Sequence, residues 1–383
     1  MKITLIGTLP PIKALSPYCY HLAEALSKKI ELEFINFNRI VPEFLYPGGT
    51  KEKKSYYQKK INSKDIISWN NPLSWIKAGR AASGDIIHIQ HWQRYATFMY
   101  CFMVPILKYR KKKILISVHN ITPHEKKKYI IIIDKILNLF VFHFADCFIV
   151  HNARNKEMFK KLYKVNNKKI YVIGLGVNIP QIMRKISKSK AREKLKIQNN
   201  KKVLLYFGYI WKYKGIDILL YSLEKIAKEV KDVLLVIAGQ PLTNWDEYEK
   251  IIKNKDIDKF ILKHMKYISE HDLELFFSAA DLIVLPYIPP FDTHGGVAAF
   301  AIGMKKPLVV SDIGGLPEFV DDKRAIVKSG DIEDLANKII RILHDEDLLN
   351  KLKKDSISIS KEITWDSIAQ KTIKVYEEMD RGC

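Results

Sequence analysis

The sequence predicts an α/β protein of two successive halves, each a mostly parallel sheet with helices packed on it. Three observations predict this. Residues 281–320 hold two strand–loop–helix corners in a row: the apolar run 282–285 meets a loop ending in Gly295-Gly296, a small-residue run follows, and a second apolar run, 307–310, meets Gly314-Gly315. Strand-like and helix-like segments alternate through both halves, the pattern of parallel strands joined by crossover helices. The alternation pauses at 178–200, where Gly174-Leu175-Gly176 gives way to a polar, lysine-rich stretch. A length of 383 residues fits two or three domains, and an apolar content of 47% fits a sizeable core.

In the first half, residues 2–7 read as a strand. Residues 17–28 read as a helix with Leu22, Ala25 and Leu26 on one face, and 31–37 as the next strand. Residues 42–84, with Pro47-Gly48-Gly49 and many lysines, read as a long loop or small insertion. Strands follow at 86–90, 114–119, 147–151 and 170–173. The apolar stretch 98–107 reads as a helix packed on the sheet. In the second half, strands are predicted at 203–207, 233–238, 282–285, 307–310 and 324–327. Helices are predicted at 215–229, 331–343 and 348–356, with a last helix from Trp365 to about Glu378. No repeat of solenoid period is found.

The glycine-bearing corners point to a ligand. The first N–H groups of a helix have no intrahelical partner, and the helix dipole is positive there. Two residues without Cβ let an anion approach those groups, so Gly295, Gly296 and Val297 are candidates for holding a phosphate. Two tight turns in an ordinary sheet would look the same. The run Phe207-Gly208-Tyr209-Ile210-Trp211-Lys212-Tyr213-Lys214-Gly215 tips the balance. It takes a strand into a loop with two lysines before a helix, and Lys212 and Lys214 beside a cradle of amides suit a diphosphate.

These two segments resemble the retaining glycosyltransferases of family 4, which have the GT-B fold: two facing Rossmann-like domains with parallel sheets and a C-terminal crossover helix. Residues 207–215 resemble the family's donor-phosphate loop, and 292–318 its sugar and nucleotide loop. The front half supports the resemblance through Asp85–His91, Ser117–Glu125 and Ala145–His151, so that it spans nearly the whole chain. It implies an acceptor-binding domain at 1–180, a nucleotide-sugar domain at 181–364, and a helix at 365–383 packing back on the first domain.

The same resemblance implies site residues. His119, at a strand end, would lie near the donor sugar, although a histidine capping the next helix would read alike. Asp292 would fix the sugar where many members carry a glutamate. Gly208, Lys212, Lys214, Gly295, Gly296 and Val297 would hold the diphosphate. Glu318 would accept from ribose hydroxyls, or sit at a helix start for structural reasons alone. Gly7 and Thr8 would line the acceptor side, with His124 and Glu125 as further contacts. The chain departs from the family at Phe300, where many members have a second glutamate, and at Tyr209, where many have an arginine. The run His294-Gly295-Gly296-Val297 is nearest to a subgroup with a Ser-Gly-Val loop.

Charge divides unevenly. Residues 1–180 hold 30 Lys and Arg against 11 Asp and Glu, a surplus of 19, and the rest hold 34 against 31, a surplus of 3, which together return the net +22. The basic half suggests an anionic partner, here an anionic membrane surface; general surface chemistry of a lysine-rich chain would read the same. No stretch is long and apolar enough to span a bilayer, and 129–144 is broken by Asp134 and Lys135. The start reads as a strand rather than a signal peptide. Cys19, Cys101, Cys147 and Cys383 are scattered, which suggests a reducing compartment.

No metal and no cofactor are expected. Asp256/Asp258 and Asp345/Asp347 read as solvated charge, and the histidines lack zinc spacing. No G-x-G-x-x-G follows the first strand. The expectation is therefore a cytoplasmic enzyme, peripheral on the inner membrane face. It would move a sugar from a nucleoside-diphosphate donor to a glycan or lipid-linked hydroxyl acceptor in surface polysaccharide assembly. The alternatives are a catalytically impaired nucleotide-binding protein of the same fold, a nucleotide-sugar epimerase, and a nucleic-acid-binding α/β protein. The last rests on charge alone and lacks the interleaved aromatics of such modules, so no nucleic acid is expected.

Overall fold

A computed structural model describes residues 1–12, 15–41, 61–92, 94–121, 128–165, 168–177, 186–291 and 295–382. The chain forms two compact units, Met1–Gly176 with Ile363–Cys383, and Val177–Glu362. The first runs β1 (Lys2–Gly7), α1 (Ser16–Ser27), β2 (Glu31–Arg39), β3 (Ser63–Ser68), α2 (Pro72–Ala81), β4 (Ile86–His91), α3 (Arg94–Tyr109), β5 (Lys113–Val118), α4 (Lys128–Phe144), β6 (Cys147–Val150), α5 (Ala153–Tyr163) and β7 (Lys169–Val172). Its seven strands are all parallel, in the order β3-β2-β1-β4-β5-β6-β7.

Strand residues alternate between two apolar layers, as a period of two requires. Ile87, Ile89, Ile114, Ile116 and Phe148 join Trp75, Tyr100, Phe142 and Phe159 from α2 to α5 on one face. Ile3, Leu5, Ile86, Leu115 and Ile149 join Cys19, Leu22 and Leu26 of α1 on the other. The helix ends are set locally: the Asn152 side chain caps α5 by accepting from Asn155 N at 2.6 Å, and Lys164 closes it in the left-handed region at φ 51°.

The second unit runs α6 (Lys188–Lys194), β8 (Lys202–Phe207), α7 (Ile216–Glu229), β9 (Val233–Ala238), α8 (Asp246–Asn254), β10 (Ile261–His264), α9 (Glu270–Ala279), β11 (Leu282–Leu285), α10 (Gly296–Gly303), β12 (Leu308–Ser311), β13 (Ile326–Val327), α11 (Ile332–His344) and α12 (Glu346–Glu362). Its six parallel strands lie in the order β10-β9-β8-β11-β12-β13. The chain then returns to the first unit as α13 (Trp365–Asp380). That helix buries Ile368, Ala369, Val375, Tyr376 and Met379 in the apolar layer shared with α1. Lys113 donates to the carbonyls of Met379 and Asp380 at 2.8 and 2.9 Å, a cation placed where the helix dipole is negative.

In each sheet the chain winds outward from one strand, then restarts on that strand's other side. The order therefore reverses between β1 and β4, and between β8 and β11. Such a reversal leaves a crevice beyond the carboxyl ends of the two strands, where open α/β sheets hold ligands.

Two sequence readings need correction. Residues 42–84 are not simply a loop: β3 and α2 lie within them, while 42–60 fall outside the described residues. β3 carries no apolar run because it is an edge strand held by polar neighbours. Asn36 Nδ2 donates to Asp65 at 3.0 Å, and Lys64 pairs with Glu33 at 2.5 Å. The strand expected at 324–327 keeps only Ile326 and Val327, since 323–325 form a 3-10 turn capped by Asp322. The edge strand β10, with Lys263 and His264 in its four residues, has no counterpart in the sequence reading.

Ile368 is fully buried in α13, whereas Leu73 is 75% exposed in α2. Ile368→Ala should cost about 2–5 kcal/mol in urea unfolding and Leu73→Ala under about 0.5 kcal/mol. Equal effects would contradict the docking of α13.

Candidate active site

The second unit's crevice is built by close backbone approach. β8 ends in Gly208 at φ 100°, a 3-10 turn follows at Lys212–Lys214, and Gly215 at φ 63° opens α7. A Cβ on Gly215 would lie 1.9 Å from the Pro286 carbonyl oxygen, so glycine is required where the start of α7 meets the end of β11. A Cβ on Gly208 would lie 2.7 Å from Lys214 Nζ and 3.6 Å from Val297 Cγ2. The predicted Gly208, Lys214 and Val297 therefore meet, although 89 positions separate the first from the last.

Gly295 stands at φ 87° before α10, and a Cβ there would strike Leu316 at 2.8 Å. Around Gly296 no described residue comes within 4 Å of such an atom. The first turn of α10, with its unbonded N–H groups, is thus uncovered at Gly296 by any described residue.

The two lysines differ. Lys212 is exposed, whereas Lys214 is 8% exposed, with Nζ 5.7 Å above the Tyr287 ring. No described residue gives its ammonium an ion pair or hydrogen bond, and burial pulls its pKa down to about 8. Glu318 is exposed in the turn Leu316–Phe319, just beyond Gly315. Phe300 is buried with its ring 4.6 Å from that of Phe277, so this position supplies packing and no polar group. Tyr209 is 43% exposed. Asp292, His124 and Glu125 lie outside the described residues.

In the first unit, Gly7 closes β1 beneath Gln90 and Cys19; a Cβ there would meet Cys19 Sγ at 2.8 Å and Gln90 Cγ at 3.2 Å. Thr8 is buried beside the Cys19 thiol, which burial pushes up to about 12. His119 follows β5 and is buried. Its Nε2 lies 2.9 Å from Gln90 Oε1 and its Nδ1 2.8 Å from His151 Nε2; His151 Nδ1 donates to the Ile173 carbonyl at 2.9 Å. Beyond Gln90, the amide nitrogen stands 3.0 Å from His88 Nε2, and His88 Nδ1 is 2.6 Å from the Tyr376 hydroxyl of α13. Ser117 Oγ also reaches His88 Nε2 at 2.7 Å, and the Tyr18 ring meets His119 edge-on at 4.6 Å.

Five polar side chains thus form one row under the carboxyl ends of β4, β5 and β6. The sequence reading missed Gln90, His88, His151 and Tyr376. A signal was present: His88-x-Gln90, Ser117-x-His119 and His151 put polar residues on one face of three adjacent strands. Desolvation lowers all three histidines, His88 to about 3, His151 to about 4 and His119 well below the usual range.

Among the described residues no group of His, Cys, Asp or Glu is placed to hold a metal ion, and no helix is long and apolar enough to cross a membrane. Asp256 and Asp258 pair with Lys259 and Lys263 at 3.1 and 2.8 Å.

Residues 16–180 match a family model described as Glycosyltransferase Family 4, and residues 187–358 one described as Glycosyl transferases group 1. An uncharacterized glycosyltransferase of Methanocaldococcus jannaschii is 24% identical over 247 residues, 61% of this chain and 60% of that protein. A D-inositol 3-phosphate glycosyltransferase of Nocardioides is 24% identical over 247 residues, 61% of this chain and 53% of that protein. The match thus spans little more than half the length of these curated relatives. Among solved structures, sucrose-phosphate synthase of Thermosynechococcus elongatus aligns with a TM-score of 0.72 at 17% identity over 100% of both chains. Anabaena HepE in complex with UDP aligns with a TM-score of 0.73 at 16% identity, over 99% of this chain and 100% of that one. These likenesses show the fold, the GT-B arrangement of two parallel-sheet units that the sequence predicts.

The buried histidines fix the sign of the acid response. Their folded pKa values lie below the ordinary 6.5, so between that value and about 4 the unfolded chain binds protons that the folded chain does not. Stability is complete above pH 6.5 and falls as the pH drops, by about 1.4 kcal/mol per unit for each such proton. The urea midpoint should decline from pH 7 to pH 5, and more gently in His151→Gln. An equal decline in both proteins would contradict the assignment.

Proposed function

Because this chain belongs to the glycosyl transferases of group 1, with a family 4 first half, we propose that it transfers a sugar from a nucleoside diphosphate to a hydroxyl acceptor with retention of configuration. One observation carries the reading. Lys214 is a buried ammonium that no described residue pairs, set over Gly208 and beside the open first turn of α10. A buried unpaired cation is costly in the empty protein, and a diphosphate there would offset that cost. Gly295, Gly296 and Val297 would add backbone donors, Lys212 an exposed second charge, and Glu318 an acceptor for ribose.

In the proposed step the acceptor oxygen bonds to the anomeric carbon, and the bond from that carbon to the diphosphate oxygen breaks. The acceptor proton passes to that departing oxygen on the same face. The protein supplies positioning and charge stabilisation rather than a separate base. Asp292 and His119 are assigned to the sugar, and Gly7, Thr8, His124 and Glu125 to the acceptor. No metal is assigned a role. HepE and a starch synthase were solved with UDP and ADP, which makes these two nucleotides the first probes.

The acceptor is proposed to be a lipid-linked glycan met at an anionic membrane surface. The outer side of α4 supports this. Tyr129, Ile132, Ile133, Ile136, Leu139 and Phe140 are 41–60% exposed there, and the neighbouring α5 carries Arg154, Lys156, Lys160 and Lys161 against Glu157 alone. An exposed apolar helix face in the same unit as a basic helix is the composition that suits an anionic bilayer interface.

A second reading, nucleotide binding without turnover, draws on Phe300, which gives the core a ring at a position where a carboxylate would have served the sugar. Turnover of a donor found by binding separates the two.

Lys214→Met should weaken nucleoside-diphosphate binding by about 10- to 100-fold, the worth of a charge-assisted bond, and Lys212→Met by less. Unchanged affinity in Lys214→Met would remove the main support. The triple change of Ile132, Ile133 and Ile136 to Ser should lower partitioning onto phosphatidylglycerol vesicles by at least about tenfold. Unchanged partitioning, or a monomer where the parent was a dimer, would assign the face elsewhere.

A further inference from the structure

We infer that Gln90 and His151 are positioning residues that hold the His119 ring as its Nδ1–H tautomer, with both ring nitrogens engaged inside the protein. The inference rests on the glycosyl-transfer reading only for what His119 serves; the hydrogen bonding of the row stands by itself.

The argument is a count of protons. The Ile173 carbonyl only accepts, so His151 Nδ1 must carry hydrogen. In a neutral His151 ring, Nε2 is then an acceptor, and His119 Nδ1, 2.8 Å away, must donate to it. His119 Nε2 is left as an acceptor. It faces Gln90 Oε1, also an acceptor, at 2.9 Å. In this arrangement the row closes only if the His119–His151 pair carries one extra proton.

Turning the Gln90 amide by 180° removes the conflict. Its nitrogen then donates to His119 Nε2, and its oxygen accepts from His88 Nε2–H. His88 Nδ1 accepts from the Tyr376 hydroxyl at 2.6 Å. Every ring is neutral, and every ring N–H in the row has an acceptor. The two arrangements differ by one amide turn and one proton, so Gln90 couples the two.

The surroundings decide between them. Among the described residues, Tyr18 and Cys19 of α1, His91 of β4, Tyr100 of α3, whose hydroxyl donates to the Gln90 carbonyl at 2.9 Å, and Tyr376 of α13 are titratable groups next to the row. No described carboxylate, lysine or arginine forms a hydrogen bond or ion pair with His88, His119 or His151. A buried imidazolium would therefore have no counter-charge, which favours the neutral row.

A consequence for the reaction follows. With both nitrogens committed, His119 exchanges no proton with a ligand. What it presents at the end of β5 is its backbone and its ring edge, held in register from α13 through Tyr376, His88 and Gln90. Gln90, His151, His88 and Tyr376 act on the sugar only through His119.

The test is the two-bond nitrogen–proton spectrum of the full chain labelled at histidine, assigned by His88→Asn and His151→Gln. The expected pattern is Nδ1–H for His119 and His151 and Nε2–H for His88, unchanged from pH 8 to pH 6. An Nε2–H or doubly protonated His119 at pH 7 would overturn the inference. Gln90→Glu offers acceptors alone to both neighbouring rings, so it should capture a proton at neutral pH and show a doubly protonated ring; neutral rings would overturn the coupling. If that variant does not fold, His151→Leu should release the His119 tautomer into exchange while His151→Gln keeps it. On a donor that the parent turns over, Gln90→Glu should lower kcat at least about tenfold with the donor KM little changed. An unchanged kcat would remove the role in the reaction and leave the tautomer. A parent that turns over no donor would count against the glycosyl-transfer reading and leave the spectra to decide the row.

Discussion

Where the strand order of a parallel sheet reverses, the carboxyl ends of two neighbouring strands face a crevice that no crossover helix covers. Both units of this chain depend on that constraint, and they meet it in opposite ways. In the first unit the residues at strand ends on the α13 side are polar, and their ring nitrogens find partners within the protein, from Ile173 through His151, His119, Gln90 and His88 to Tyr376. In the second unit β8 and β9 run into Gly208 and Gly239, and the buried ammonium of Lys214 is paired by no described residue. The polar row of the first unit is paired within itself, and the buried ammonium of the second has no partner among the described residues.

The returning helix α13 acquires a meaning beyond packing. Its apolar face covers the same layer as α1, and its Tyr376 supplies the last hydroxyl of the polar row. Gly176, at the end of the first unit's first segment, allows the Trp365 ring within 2.5 Å of where a Cβ would stand. The point where the chain leaves this unit and the point where it returns are thus in contact, and the residue that begins α13 holds them together.

Much of the fold was legible because buried parallel strands are apolar runs, and nearly all of those runs became strands. The strands that were missed are those whose stability is not written as hydrophobic periodicity, and the sequence reading also named no helix at α5, α8 or α9. β3 and β10 are edge strands tied by ion pairs and side-chain amides, and the 3-10 turn at 323–325 depends on the Asp322 cap. The glycine corner of the second unit was legible because glycines with positive φ leave a clear mark in sequence: Gly208, Gly215 and Gly295 all adopt it. The difference between Lys212 and Lys214 was not. Two positions apart in one turn, they differ only in which way the turn faces. The partners of His119 were equally out of reach one strand at a time. His88, Gln90 and His151 look like ordinary strand-end polar residues until β4, β5 and β6 stand side by side.

The central claim is that Lys214 is an ammonium held ready for a diphosphate, and its protonation reports this directly. The ammonium should bind its proton more tightly once a diphosphate lies beside it, so its pKa should rise from about 8. Calorimetric titration of UDP or ADP into the protein near pH 8.5, repeated in buffers of different ionisation enthalpy, measures the protons taken up on binding. The account predicts net uptake of a fraction of one proton, lost in Lys214→Met. Binding with the same proton uptake in both proteins would contradict it.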